Sequence, residues 1–490
     1  MSRIIIIFSI FALCASCKKF VELTPPDTSL EADKVFQSDI TGISAVTSIL
    51  GELGGYNSFS QGFGGISIVS GLVADELTTV SIQPAYQEIY TNTLLPGNTI
   101  IAEIWNRAYK HIYATNAIIE GASRSTALST NARNQILGEA YFLRSFLYFQ
   151  LVNLFGDVPF LTGTDYEKNL QAAREPVKNI LNNIAEDLKL SKSMLSVNYL
   201  DNTGAATTKR IRPNKWAATA LLARVYLYLE DWPNSELQAN EVISQAATYI
   251  LDPNLNNVFK PGTREAIWHL PPGITTNGQT LYTGDGSSFS VNYIKSFGVG
   301  PQSFGYDLSN YIPDSFVALF EPGDARKSSW IDSLNDGTRK YYVPYKYKTG
   351  IDAVGTLDYL MVLRLSEQYL VRAEARLGQN NFDGARQDID TVRSRARLLP
   401  TTVPSTRAGI MAAIEHERQL ELFLEWGQRW MDLKRWPGIN NPAISRAEEI
   451  MSVVTPVKGG VWDEDWLRFP IPVNEVRNGP NMSQNDGYPQ

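Results

Sequence analysis

The sequence predicts a mostly α-helical protein: stacked tetratricopeptide-like helix pairs carrying a large irregular insert of loops and short strands. Three observations lead there. Apolar residues recur at helical spacing over long stretches in both halves of the 490-residue chain. Two segments, RPNKWAATALLARVYLYLEDWPNSELQANEVI and RLSEQYLVRAEARLGQNNFDGARQDIDTVRSRA, each read helix, tight turn, helix and align at an offset of 150. Between them lies a stretch rich in Gly, Pro, Ser, Asn and Tyr, with no sustained helical period apart from Asp314 to Phe320.

The opening residues stand outside that fold. Arg3 precedes an apolar run, Ile4 to Ala15, broken only by Ser9. The run is shorter than the roughly 20 residues a bilayer span needs, and it fits the core of a secretory signal. Ala15 and Ser16 are small and precede Cys17, the arrangement at which a lipoprotein peptidase cuts after the thiol is acylated. Cys14 falls in the discarded part, where the usual leucine would stand. The other reading is an ordinary signal peptide with two chance cysteines. Only lipidation gives Cys17 a role, anchoring the protein in outer-membrane lipid through several acyl chains. A chain beginning at Cys17 has no further thiol, which excludes disulfides, thiolate metal sites and a cysteine nucleophile.

The expected organisation follows. Residues 1–16 are the signal and 17–34 a tether with Pro25 and Pro26. Residues 35–250 and 361–440 form the helical scaffold, 251–360 the insert, and 441–490 a closing segment, all one unit over 17–490. Helices are expected over Ser38 to Leu53, Thr99 to Gly121 and Pro176 to Ser196. Another carries Ile136, Ala140, Leu143, Leu147, Leu151 and Leu154 on one face and Phe142, Phe146 and Phe149 on a second. A helix apolar on two faces is packed on both sides, and Gly156-Asp157-Val158-Pro159 stops it. In the repeated units Ala223 aligns with Ala373, Trp232 with Phe382, Ser235 with Ala385, Ala239 with Ile389 and Val242 with Val392. Small residues let paired helices approach, and the aromatic after the turn plugs the gap. One such pair cannot bury its apolar face alone, so the pairs should stack. In the insert, Tyr341 to Lys348 is β-prone.

Composition narrows function. Apolar residues make up 43% and charged residues 19%, ordinary for a folded protein. The formal charge of −7, or −8 once Arg3 is removed, opposes binding to nucleic acid, whose phosphates need a basic footprint. The 10 Trp, 23 Tyr and 20 Phe against 3 His suit neutral, hydroxyl-rich ligands, although most rings belong to the core. His111, His269 and His416 are scattered without metal spacing, and no motif asks for a cofactor or metal.

Arg418, Glu421, Glu425, Arg429 and Asp432, spaced 3, 4, 4 and 3, read as one face of one helix. Glu421 and Glu425 on neighbouring turns match the roughly 5–5.5 Å carboxyl separation of a retaining glycosidase. The flanking arginines should lower both carboxyl pKa values, whereas a general acid needs a raised one, so a structural ion-pair ladder is the better reading. WDEDW, Trp462 to Trp466, reads as a packed corner, with a sugar clamp or Ca²⁺ site as alternatives. The better ligand candidates are aromatic and amide residues in loops: Gln83, Tyr86 and Tyr90 after Ala74 to Glu76, and Tyr282, Tyr293, Phe304 and Tyr306 in the insert.

Several motifs together resemble the SusD/RagB family of surface glycan-binding lipoproteins. They are Cys17 with its tether; WNRAYKHIYATNAII; GEAYFLRSFLYFQLVNLFGDVPF; EPGDAR; EHERQLELFLEWGQRWMDLKRW; and FPIPVNEVRNGPNMSQNDGY. The likeness covers nearly the whole chain after Cys17. It implies a scaffold of tetratricopeptide-like helix pairs supporting an irregular ligand-binding part. It also implies non-catalytic capture of oligosaccharide at the outer-membrane surface, and a SusC-like TonB-dependent transporter over which the protein sits as a lid. Surface export in the family goes with acids soon after the cysteine; here Lys18 and Lys19 come first and Glu22 is the earliest acid. Two other functions remain open: a glycoside hydrolase using Glu421 and Glu425, and a peptide or protein receptor on the helix pairs. An aromatic cluster on the insert favours the glycan; an acidic, aromatic-poor groove favours the peptide.

Overall fold

The computed structural model describes residues 32–55, 58–59, 62, 64–275, 278–279, 282–289, 310–335, 337, 339–349 and 357–489. The signal, Cys17 and most of the tether lie outside the described residues. Among the described residues, no helix is long and apolar enough to cross a membrane.

Local signals set the helix ends. Ser38 caps Asp39–Leu53 by accepting from the Thr41 amide, and Asn98 caps Thr99–Arg124 by accepting from the Ile100 and Ile101 amides. Ser129 caps Thr130–Phe155, which is buried almost all round from Gln135 onward. It packs between Thr99–Arg124 and Val177–Met194, which accounts for its two apolar faces. Gly156 ends it at φ +77°, a left-handed conformation that favours glycine.

The repeated segments form Lys215–Tyr228 with Trp232–Ile243, and Leu365–Gly378 with Phe382–Arg395. Far apart in sequence, they stack directly, with Trp232–Ile243 against Leu365–Gly378. The small residues act as expected: Ser235 Oγ donates to the Ala223 carbonyl at 2.9 Å. A Cβ on Gly378 would stand 2.4 Å from the Trp232 indole, so that glycine permits the close approach of the two pairs. A buried Arg224–Glu367 pair, with both contacts at 2.6 Å, crosses the stack.

The insert is closed at its base by a feature the sequence pattern did not single out. Ala266–Leu270 and Leu360–Arg364 pair antiparallel, bringing its two ends together. Ile331–Asn335 and Lys340–Pro344 form a hairpin, so the β-prone run around Tyr341 is strand only as far as Pro344. The helix expected from Asp314 covers Asp314–Val317.

Most family-like motifs turn out to be fasteners. Tyr109 Oη donates to the Pro159 carbonyl at 2.8 Å, and Asn116 Nδ2 donates to the Leu161 carbonyl at 2.9 Å. Asn116 Oδ1 accepts from Arg144, which also grips Asp187 with two 2.8 Å bonds. At the C-terminus, the Phe469 amide bonds the Leu154 carbonyl at 2.8 Å, and Asn485 Nδ2 bonds the carbonyls of Phe155 and Phe469. The closing segment thereby satisfies carbonyls that the end of the central helix leaves free. In WDEDW, Trp462 packs edge-on against Trp430 and its indole N–H donates to Glu448, which makes a packed corner.

Candidate functional site

Thr78–Thr79 pairs antiparallel with Asn310–Tyr311, and an Ile312–Tyr342 bridge continues onto the hairpin. This brings the segment after Ala74 and the insert to one edge. There the Tyr311 and Tyr341 rings meet edge to face at 5.2 Å, and the exposed Arg339 guanidinium lies 5.1 and 5.0 Å from their centroids. Beside them the Tyr90 phenol hydrogen-bonds Thr78; burial pushes its pKa up, opposed by that bond and assisted by Tyr311. Val80, Ile82 and Gln83 are exposed on the same segment, Ile82 at 93%. Tyr311 is itself buried at 8% exposure and backs this edge, which presents the half-buried Tyr90 and Tyr341 rings, the Gln83 amide and the Arg339 guanidinium. Among the described residues, no cluster of three or more His, Cys, Asp or Glu is arranged to hold a metal ion.

Buried charges fix the floor under this edge. Asp75 takes two bonds from Arg429, at 2.9 and 2.7 Å. Burial would raise its pKa, but Arg429 overrides this and keeps it below the ordinary value. Neighbouring Glu76 has no such partner: burial, then the Asp75 charge, push it up to about 8, against partial relief from Arg429 and Lys346. It accepts from the Leu424 amide at 3.3 Å. Glu76 therefore takes up a proton on folding. Its contribution to stability is complete below the ordinary carboxyl range and is lost as pH rises through about 8. Glu76→Gln is expected to match wild type at pH 5. At pH 9 it should be more stable by on the order of 2–4 kcal/mol in urea unfolding, because the amide cannot ionise.

Of the expected ligand residues, Gln83 is exposed at the N-cap of Pro84–Tyr90, and Tyr90 is half-buried at its end. Tyr86 differs from the expectation. It is 8% exposed and packs into the main core, on the same helix face as Tyr90 but one turn nearer the helix start, so it offers far less ring surface than Tyr90. Tyr282 is half-buried just before the Gly284–Ser288 turn. That turn is held down by Asp285, which accepts from the Gly62 amide at 3.0 Å. Tyr293, Phe304 and Tyr306 lie outside the described residues. Sequence reading missed Tyr311, Arg339 and Tyr341. Arg339, Lys340, Tyr341 and Tyr342 in a β-prone run carried a signal, but period-2 patterning alone does not say which face the insert leaves open.

The charged series is also corrected. Arg418, Glu421, Glu425, Arg429 and Asp432 do not share one helix face. Arg407–Glu421 ends at Glu421, and the next helix is Gln428–Arg435. Leu424, Trp426 and Gly427 between them have φ of +53°, +54° and +72°. Tertiary contacts outweigh helix continuation here: Lys346 Nζ donates to the Glu421 and Phe423 carbonyls, and Trp426 Nε1 donates to the Met361 carbonyl. All five residues are buried ion-pair members, but mostly with distant partners. Arg418 pairs with Asp432 across the break at 2.6 Å, and Arg429 pairs with Asp75 and Glu415. Glu421 meets Arg326, Arg364 and Arg395, while Glu425 meets Arg364 and Lys346. Burial would raise the Glu421 pKa, yet the three arginines hold it well below the ordinary range. Such a carboxylate stays ionised and has no proton to give as a general acid.

Two family models match the chain: one described as starch-binding, associating with the outer membrane, over residues 56–227, and the SusD family over residues 324–488. A SusD-like protein of Formosa agariphila is 26% identical, covering 99% of this chain and 98% of its own. A solved SusD superfamily protein from Bacteroides vulgatus superposes with a TM-score of 0.74 at 21% identity, covering 92% of this chain and 99% of its own. A solved laminarin-binding SusD-like protein does so at 0.71 and 21%, with the same coverage. With matches spanning both scaffold halves and the closing segment, the chain belongs to the SusD/RagB family.

Proposed function

We propose that this protein captures a neutral oligo- or polysaccharide at the outer-membrane surface without cleaving it, and passes it to a SusC-like TonB-dependent transporter. The observation that carries the reading is the aromatic edge where the insert meets the 78–90 segment: Tyr90 and Tyr341 with Arg339 and Gln83, backed by the buried Tyr311 ring. Ring faces stack on the apolar faces of sugars, while amide and guanidinium groups bond hydroxyls. The insert sequence also carries Tyr282, Tyr293, Phe304 and Tyr306. An aromatic cluster on the insert is the feature that separates a glycan ligand from a peptide one. The matched family description and the laminarin-binding neighbour support the ligand class. Acylated Cys17 holds the protein to outer-membrane lipid, facing the exterior. Nothing in this reading needs a cofactor.

The test is retention of the protein on a panel of soluble and insoluble polysaccharides, with reducing sugar assayed in the same tubes. Retention on a glycan without sugar release is the expected result. Sugar release would overturn the non-catalytic reading, and retention on none would overturn the glycan.

A further inference from the structure

We infer that the scaffold carries a second site for neutral oligosaccharide, remote in sequence from the insert, in the groove between helix Thr99–Arg124 and the 159–175 segment. For ligand class it rests on the reading above; the site itself rests on separate observations.

Two tyrosines line one cavity of about 390 Å³ there and remain open to solvent, Tyr113 at 55% and Tyr166 at 74%. Neither hydroxyl has a hydrogen-bond partner among the described residues. Asn169, on the same wall, spends its amide N–H on the Gly163 carbonyl at 3.0 Å, leaving its carbonyl oxygen to accept. The cavity continues into a larger groove of about 850 Å³, sharing Leu161, Gly163, Thr164 and Asn169. Both volumes lie within the range of small-molecule sites.

The wall is rigid before any ligand arrives. Glu120 accepts from both the amide and the hydroxyl of Thr164 at 2.9 Å, and Asn116, Tyr109 and Tyr148 hold the preceding carbonyls. A fixed groove with free ring faces and unspent hydroxyls loses little entropy on binding.

Charge selects the ligand. The acids Glu120, Asp165 and Glu175 line the wider groove against Lys168 and Arg174. Arg174 is committed to the Asp157 carbonyl and to the closing segment at Ser483 to Asn485. Lys168 is left as the one uncommitted cation among the described lining residues, too little for a sulfated or uronic acid chain. A neutral, hydroxyl-rich chain fits the rings and the charge together.

The experiment is native affinity electrophoresis of the full-length protein in gels containing amylopectin, laminarin, mixed-linkage β-glucan, xyloglucan or galactomannan. Variants are Tyr113→Ala/Tyr166→Ala, Tyr341→Ala and the triple combination. Both groove tyrosines are exposed, so their removal leaves the fold intact. The expected result is at least fivefold weaker retardation for the groove variant in a glycan that retards wild type. Tyr341→Ala should keep a residual retardation that the triple variant loses. Unchanged retardation of the groove variant alongside loss in Tyr341→Ala overturns the second site and leaves the insert site standing. Absence of wild-type retardation in all five glycans overturns both.

Discussion

Replacing Arg364 by methionine is expected to destabilise the protein by about 3–5 kcal/mol, the cost of leaving buried charges without their partner. Arg364 is 1% exposed and ends the strand that closes the base of the insert. It bonds Glu425 at 2.8 and 2.9 Å, Glu265 at 3.0 Å, and Glu421. Glu265 lies at the start of the partner strand, Glu421 ends a scaffold helix, and Arg395, also bonded to both carboxylates, comes from a repeated pair. One side chain thus joins the insert, the helix pairs and the last scaffold helices. Urea unfolding followed by circular dichroism would measure the loss; a change under 1 kcal/mol would show the network to be dispensable. Glu421→Gln should also destabilise, by about 3 kcal/mol, since three arginines then share fewer charges. The Glu421 contribution is present above the ordinary carboxyl range and is lost only as pH falls through its lowered pKa. The same variant decides the glycosidase reading. A folded Glu421→Gln protein that had lost a measured hydrolytic activity of the wild type would support catalysis; the expected finding is no hydrolysis by either.

The second large effect concerns binding. Tyr341→Ala removes the ring that Arg339 and Tyr311 orient, and a central aromatic contact of this kind is worth about 2 kcal/mol. Affinity for the retained glycan should fall by roughly 30-fold, as measured by titration calorimetry. Tyr90→Phe keeps the ring and loses the Thr78 hydrogen bond, so a smaller fall, about threefold, is expected. Tyr86→Phe should bind as wild type, because that ring is in the core. Equal losses from Tyr86→Phe and Tyr341→Ala would place the ligand elsewhere.

The sequence on its own determined the helices and their punctuation. Ser38, Asn98, Ser129 and Gly156 act within a few residues of where they stand, and hydrophobic spacing reports which helices are buried. It also determined the stacked pairs, since small residues such as Ala223 and Ser235 are legible as close-approach positions once the two units are aligned, whereas the part played by Gly378 emerged only in the structure. Family membership was legible for the same reason: the matching motifs are mostly fasteners, and local chemistry constrains fasteners.

Tertiary structure decided the rest. Helical spacing placed Glu421 and Glu425 on one face, but carbonyl capping by Lys346 and pairing with Arg364 broke the helix between them. Those partners lie 57 to 79 residues away, beyond the reach of any local pattern. The same holds for the ligand face. Tyr86 and Tyr90 look alike in sequence, yet the first is buried and the second half-buried. Which ring is buried and which meets solvent is set by how the insert folds back onto the 78–90 segment, through pairing between residues more than two hundred positions apart.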